Sequence, residues 1–278
     1  MIQLYENISF TTSRIITRRY STSFSLGTML FDPSVRRAIY SLYGFVRLAD
    51  EIVDTFHAHD QQALLDEFRT ETWHAIERGI SLNPVLQSFQ DCVNTYNIDH
   101  EHIRAFFRSM EMDLDKTRYS REGYEEYIYG SAEVVGLMCL QIFCNNDQNL
   151  YEQLREPARR LGAAFQKVNF LRDLKDDYQE LGRTYFPKLD MSHFNGHTKA
   201  EIEREIEADF KAAFHGIKQL PANCKLGVYV AYVYYLQLFK KIRSSQPETL
   251  LEERVRIPNR LKFYLMLQSY FRHKLNLL

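Results

Sequence analysis

Residues 42–54 read Leu42-Tyr43-Gly44-Phe45-Val46-Arg47-Leu48-Ala49-Asp50-Glu51-Ile52-Val53-Asp54. Wound at 100° per residue, Tyr43, Arg47, Asp50 and Asp54 fall within about 60° of one another. In the longer run from Ser34 to His57, the residues Val35, Ile39, Leu42, Val46, Ala49 and Val53 lie next to that stripe and form an apolar face that has to be buried against other helices. The polar stripe therefore borders the interior. A solvated helix edge, with Arg47 to Asp54 as an ion-pair ladder, has the same spacing, so the stretch fixes a helix before it fixes a function.

Outward from this helix the pattern repeats. Apolar residues recur mostly at threes and fours, Gly and Pro number only 11 and 7, and no run alternates as a strand would, so the reading is all-α. Helices are expected at about 2–23, 34–57, 61–78, 84–97, 99–112, 121–145, 149–181, 199–219, 223–246 and 258–275. Asp32-Pro33-Ser34 and Asn83-Pro84 read as helix starts, where Pro is tolerated in the first turn. The longest irregular piece, Gly182 to Thr198, contains Gly182, Pro187, Asn195 and Gly196 and reads as a loop over a site. No repeat, low-complexity tract or linker divides the 278 residues, so one domain, 1–278, is expected.

Lys and Arg total 35 against 36 Asp and Glu, a formal net charge of −1, which leaves no general basic field for nucleic acid. Cys92, Cys139, Cys144 and Cys224 show no CxxC spacing and are expected to be reduced thiols. The start, Met1-Ile2-Gln3-Leu4-Tyr5-Glu6-Asn7, has no basic n-region followed by an apolar run, and reads as mature protein. Val134 to Cys144 and Gly227 to Phe239 fall short of the roughly 20 apolar residues a span needs, and Gln141 and Gln237 interrupt them. A cytoplasmic location follows as the expectation, with peripheral membrane contact open and no obligate protein partner evident; no segment shows a Lys-rich amphipathic pattern.

A second polar stripe lies in Gln166-Lys167-Val168-Asn169-Phe170-Leu171-Arg172-Asp173-Leu174-Lys175-Asp176-Asp177, where Gln166, Asn169, Asp173 and Asp177 fall within about 80°. A polar network inside a helical core is the plain reading of such a mixture. Two carboxylate stripes in one helical protein also suit hard cations held by oxygen ligands from facing helices. Mg²⁺ keeps several waters and prefers one or two carboxylates plus phosphate oxygens, so two such edges across a cleft can grip a diphosphate, with Arg47 and Arg172 as guanidinium forks on phosphate oxygens or as counter-charges to the acids. Breaking an allylic C–O bond calls for leaving-group charge to be stabilised beside a dry cavity.

Taken in order, Tyr20-Ser21-Thr22-Ser23-Phe24, Leu42 to Asp54, Gln166 to Asp177 and Gly182-Arg183-Thr184-Tyr185-Phe186-Pro187 resemble the motifs of the squalene and phytoene synthases over nearly the whole chain, closest to bacterial phytoene synthases. The resemblance implies a class I isoprenoid synthase fold, helices around a central apolar cavity. It implies that Asp50, Asp54, Asn169, Asp173 and Asp177 bind Mg²⁺, with Mn²⁺ as the alternative ion, and that Asp50, Asp54, Asp173, Asp177, Arg47 and Arg172 carry the catalysis. By the same resemblance Ser21, Ser23, Tyr43, Arg47, Gln166 and Arg172 contact diphosphate or lie beside it, Tyr20 and Thr22 join them by position, and Asn169 and Arg183 belong to the same set. Tyr127 matches the Tyr that opens the family's YxxGxA stretch, here Tyr127-Ile128-Tyr129-Gly130-Ser131-Ala132, and Tyr235 aligns with a late substrate-contacting Tyr.

Two residues depart from the family pattern. Glu51 stands for the usual second Asp of the first motif and points away from the Asp50 and Asp54 stripe. Glu133 stands where Gly is more frequent, and a carboxylate beside an apolar tunnel is costly unless paired or solvated; it is expected either to reach polar groups at the cavity rim or to face another helix. Of the 18 Tyr and 19 Phe, Phe24, Tyr43, Tyr127 and Tyr129 lie in or near the motifs and are candidates to line a tunnel, with ordinary core packing as the even alternative. The reaction the resemblance implies is head-to-head joining of two prenyl diphosphates through a cyclopropyl diphosphate. Two geranylgeranyl diphosphates give phytoene; farnesyl diphosphate gives dehydrosqualene, or squalene when NADPH supplies hydride. A chain-elongating prenyltransferase and an inactive helical assembly factor of the same fold are the rivals.

Overall fold

The computed structural model of the chain describes residues 1–115, 119–179, 185–187 and 194–275, with 177–179 as backbone only. Among the described residues there is no strand. The helices run α1 Ile2–Tyr20, α2 Thr22–Thr28, α3 Pro33–Asp54, α4 Gln61–Arg78, α5 Pro84–Tyr96, α6 His100–Asp115, α7 Arg121–Ile128, a π-turn Tyr129–Glu133, α8 Val134–Cys144, α9 Gln148–Arg172, α10 Leu174–Gln179, α11 Gly196–Ile217, α12 Ala222–Ser244, α13 Pro247–Glu252 and α14 Asn259–Lys274.

The ends follow from local chemistry. At the start of α4 the Asp60 carboxylate accepts the Ala63 N–H at 3.0 Å, and the helix stops at Gly79 with φ 68°, a left-handed exit that a side chain would strain. Asn83 caps α5 by accepting from Val85 N–H at 3.0 Å, with Pro84 in the first turn. Asn97 and Asn145 close α5 and α8 at φ 49° and 46°.

Helix α3 is central. Its Val35, Ile39, Leu42, Ala49 and Val53 are buried as the periodicity requires, and Phe45, fully enclosed, stacks on Phe89 of α5 at 3.7 Å and meets the edge of Phe107 of α6 at 5.7 Å. That aromatic cluster locks the helix against α4, α5 and α6 and sets the direction in which its polar edge faces. Helix α9 packs on α8, α11 and the π-turn. The approach there is close: a Cβ on Gly162 would sit 2.5 Å from the Ala132 carbonyl, and one on Gly130 2.4 Å from that of Ala105. Only glycine lets α6, the π-turn and α9 come this near.

Several boundaries differ from the periodicity. The helix expected over 2–23 ends at Tyr20, because Ser21 is extended (φ −141°, ψ 103°) and its side chain starts a new helix by accepting the Phe24 N–H. The helix expected over 149–181 breaks at Asp173, and the one over 121–145 contains the π-turn. Helix α13 carries no periodic signal in its six residues, and α11 begins at Gly196, inside the stretch read as irregular. Of that stretch, 182–184 and 188–193 lie outside the described residues. Among the described residues one helical run, Arg121–Cys144, is long and apolar enough to cross a bilayer, but 56% of its apolar window is buried, where it packs against α6 and α9. The four cysteines are free thiols.

Candidate active site

An apolar cavity lies between α2, α3, α8, α9, α11 and α12, walled among others by Phe24, Phe31, Val46, Phe143, Leu161 and Phe165. Three of its wall positions tie it to the polar motifs. Phe24 stacks on Tyr43 with ring centres 4.7 Å apart, Phe165 stacks on Tyr235 at 3.9 Å, and Gln166 is itself a wall residue. Val46 immediately precedes Arg47. The polar edges of α3 and α9 therefore sit at the rim of one cavity.

At the α3 rim, the break at Ser21 brings Tyr20 back over the helix, so that the Arg47 guanidinium lies over the Tyr20 ring at 4.4 Å. The phenol of Tyr43 is pushed up to about 12 by burial, with Arg47 opposing and Asp50 adding to the shift; Ser21 hydrogen-bonds it. Arg47 ion-pairs with Glu51 and reaches Asp50 at 4.0 Å. Glu51 points off the Asp50 and Asp54 stripe, as its helical position requires, and its role is to hold Arg47. The Nε of Arg47 is buried without a hydrogen-bond partner. Asp50 is pushed up to about 7, first by burial and next by Asp54, while Arg47 pulls it down; Asp113 of α6 adds a smaller push. Thr22 is exposed, and no polar contact joins it to the other candidate residues.

At the α9 rim, Gln166 donates weakly to Ser131 Oγ at 3.4 Å, and the Tyr235 hydroxyl donates to Asn169 Oδ1 at 3.3 Å. Asp173 accepts from its chain neighbour Arg172 at 2.9 Å and from Arg254 at 2.6 Å. Adjacent residues of a regular helix point about 100° apart and do not face each other, so this pairing goes with the exit of the chain from helical geometry at Asp173 (φ −101°, ψ 9°). The uninterrupted stripe from Gln166 to Asp177 is thus corrected to two segments that meet at Asp173. The side chain of Asp177 and all of Arg183 lie outside the described residues.

Arg254 was not among the residues the sequence singled out. It lines a cleft with Ser23, Arg172, Tyr235, Arg256 and Lys262. Lys262 is lowered by burial and by Arg172, the mark of cations gathered close together. The available signal was the absence of any acid after Glu253, in a region with no motif spacing.

Tyr127 does not reach the cavity wall. Its hydroxyl donates to Asp113 Oδ2 at 2.8 Å, and its ring packs with Tyr119, Tyr185 and Phe170 in an aromatic cluster. Burial, followed by Asp113, pushes its phenol well above the ordinary value. Its link to the α3 rim runs through Asp113, a buried acid that the sequence reading missed because nothing in Glu111-Met112-Asp113-Leu114-Asp115 separates it from surface acids. Tyr129 likewise stays off the cavity wall and carries Arg159 over its ring. Glu133 faces α9, where it accepts from Arg159 at 2.7 Å, which settles how an acid is kept beside an apolar wall.

The residues fit a divalent cation with a diphosphate. Asp54 disfavours the ionisation of Asp50, which a cation relieves, and the buried Arg47 N–H lacks an acceptor. No three His, Cys, Asp or Glu side chains among the described residues form a ready cage.

Residues 17–260 match the squalene/phytoene synthase family. A phytoene synthase of Arthrospira platensis is 29% identical over 265 residues, covering 86% of this chain and 85% of that protein. The chloroplastic phytoene synthase 1 of Solanum lycopersicum is 28% identical over 252 residues, 83% of this chain but 60% of the tomato protein. Among solved structures, a dehydrosqualene synthase in complex with ligand superposes with a TM-score of 0.83 at 23% identity, covering 98% of both chains.

Proposed function

The chain belongs to the squalene/phytoene synthase family, and from that premise we propose that it joins two geranylgeranyl diphosphates head to head, through a cyclopropyl diphosphate, to give phytoene. The observation that supports this reading is an apolar cavity with two acid-bearing helix edges and their arginines at its rim.

In this reading Asp50, Asp54, Asn169, Asp173 and Asp177 hold Mg²⁺. The ion supplies positive charge that stabilises the departing diphosphate. Arg47 turns its unpartnered N–H to a diphosphate oxygen. Arg172 and Arg254, which contact Asp173, share their N–H groups between that carboxylate and the leaving group in this reading. Phe24, Val46 and Phe165 keep water from the allylic cation, and the Tyr43 phenol stays protonated as a donor. Ser21, Ser23, Gln166 and Tyr235 orient the diphosphates from the rim, with Tyr20 stacking on Arg47. Tyr127 acts from behind, through Asp113.

The test is incubation of the purified protein with Mg²⁺ and either geranylgeranyl or farnesyl diphosphate, with and without NADPH, followed by hydrocarbon analysis. Phytoene from geranylgeranyl diphosphate without NADPH is the expected product. Squalene formed only with NADPH, dehydrosqualene as the preferred product, or no hydrocarbon at all would overturn the assignment.

A further inference from the structure

Helix α14 is apolar on two sides. Leu265 and Ser269 are buried against α12, where Leu265 joins Val230 and Tyr234 in a small core. On the other side Phe263, Tyr264, Leu267, Tyr270, Phe271 and Leu275 stand in solvent, with Phe263, Tyr264 and Phe271 at 55%, 59% and 60% exposure. At 100° per residue these six occupy an arc of about 140°. Arg260 and Lys274 fall inside the same arc, one at each end of the helix.

A face of this kind needs an occupant, since a helix that is apolar all round is otherwise enclosed. Its charge says which. From residue 254 onward the ionised side chains are Arg254, Arg256, Arg260, Lys262, Arg272 and Lys274, with no Asp or Glu, in a chain whose net charge is −1. Two copies pairing through this face would set cations against cations with no acid between them. An acidic surface that also accepts aromatic rings meets both demands. We propose that the outward face of α14 docks this protein on an anionic lipid surface, with Phe263, Tyr264, Leu267 and Phe271 in the interfacial region and Arg260 and Lys274 on the headgroups. Asn259 and Lys262, at the start of the same helix, line the cleft that holds Arg172 and Tyr235, so docking sets that cleft beside the lipid.

The sequence pattern hides this face. The inward and outward apolar residues of α14 together leave no one-sided stripe, and only the burial of Leu265 and Ser269 shows which residues are spoken for.

The test is flotation of the purified protein with vesicles of phosphatidylcholine alone or mixed with phosphatidylglycerol. Wild type is expected to float with the mixed vesicles only, and less as salt is raised. F263S/F271S and R260E/K274E are each expected to lower the bound fraction by about tenfold with helicity unchanged. Leu82→Ser, at another exposed apolar side chain, between α4 and α5, is expected to float as wild type does. Failure of wild type to float with anionic vesicles, or equal flotation of both double variants and wild type, would overturn the proposal. So would light scattering that shows a wild-type dimer turned monomeric by F263S/F271S, since the occupant would then be a second copy. None of these readouts depends on which prenyl diphosphate is used.

Discussion

The two acidic edges of the site are built on opposite principles. On α3, Asp50 and Asp54 sit one turn apart on an unbroken helix and repel each other, and Asp50 faces an arginine that is held partly by Glu51. At the end of α9, Asp173 stands where the helix breaks and already carries two guanidinium groups, from Arg172 and from Arg254. At the first edge burial and Asp54 work against the ionised form of Asp50, which a cation relieves; at the second, Asp173 already carries guanidinium partners and has to exchange them when a cation arrives. The same residue type at the same spacing thus has different electrostatics because of what the distant chain brings to it.

The sharpest way to break this contrast is to neutralise each edge. Asp50→Asn and Asp173→Asn are both expected to lower hydrocarbon formation by about 10³-fold or more, with helicity retained by circular dichroism. Their effects on the protein without metal should diverge. Asp50→Asn removes a repulsion and leaves thermal stability equal or higher, whereas Asp173→Asn takes a charged acceptor from both Arg172 and Arg254 and lowers it. Equal stability changes in the two variants would remove the distinction between the edges; wild-type turnover in either would remove the proposed metal role.

Next in size is Tyr127→Phe, which removes one of the hydrogen-bond donors of the buried Asp113 carboxylate, the Tyr185 hydroxyl being another. Losing one hydrogen bond to a charged group costs about 1.5–3 kcal/mol, read as a lower midpoint in urea with an unchanged slope. Because Tyr127 lies off the cavity wall, the activity loss should be smaller than for Asp50→Asn. A loss as large as that of Asp50→Asn, with stability intact, would instead put the Tyr127 hydroxyl in contact with substrate.

Arg254→Ala separates the two duties of the second edge. If Arg254 serves the diphosphate as well as Asp173, the variant should raise KM by about tenfold, equivalent to roughly 1.4 kcal/mol of binding, and Arg254→Lys should recover only part of it, since an ammonium lacks the guanidinium fork. An unchanged KM would confine Arg254 to holding the carboxylate.

What the sequence made legible, and what it did not, divides along the same line. Helix existence and the inward face of α3 were readable, because burial of Val35, Ile39, Leu42, Ala49 and Val53 follows from a period of 3.6. The exits at Ser21 and Asp173 were not, since one extended or bent residue leaves the periodic pattern on both sides intact. The acids and arginines with regular local spacing, Asp50, Arg47 and Asp173 among them, were legible as polar stripes, since their spacing follows the helix. Asp113 and Arg254 were invisible because their meaning comes from partners 14 and 81 positions away, and helical spacing carries no record of such contacts.

The smallest expected effect tests the α3 edge without substrate. Asp50 holds its proton up to about pH 7 in the folded protein, while an unfolded chain releases it near the ordinary carboxylate value of about 4. Between these two values the unfolded state binds fewer protons, so the contribution of Asp50 to stability is fully present at the acid end and is lost as pH rises through 7. In a chelating buffer the melting temperature of wild type is therefore expected to fall relative to that of Asp50→Asn as pH goes from 5 to 8, by about 2–4 °C for each kcal/mol at this chain length. Added Mg²⁺ should narrow the gap at pH 8, because a cation at Asp50 and Asp54 stabilises the ionised pair. Parallel curves for the two proteins across this range would mean that the charges on α3 are already balanced by the protein itself, and the difference between the edges would vanish.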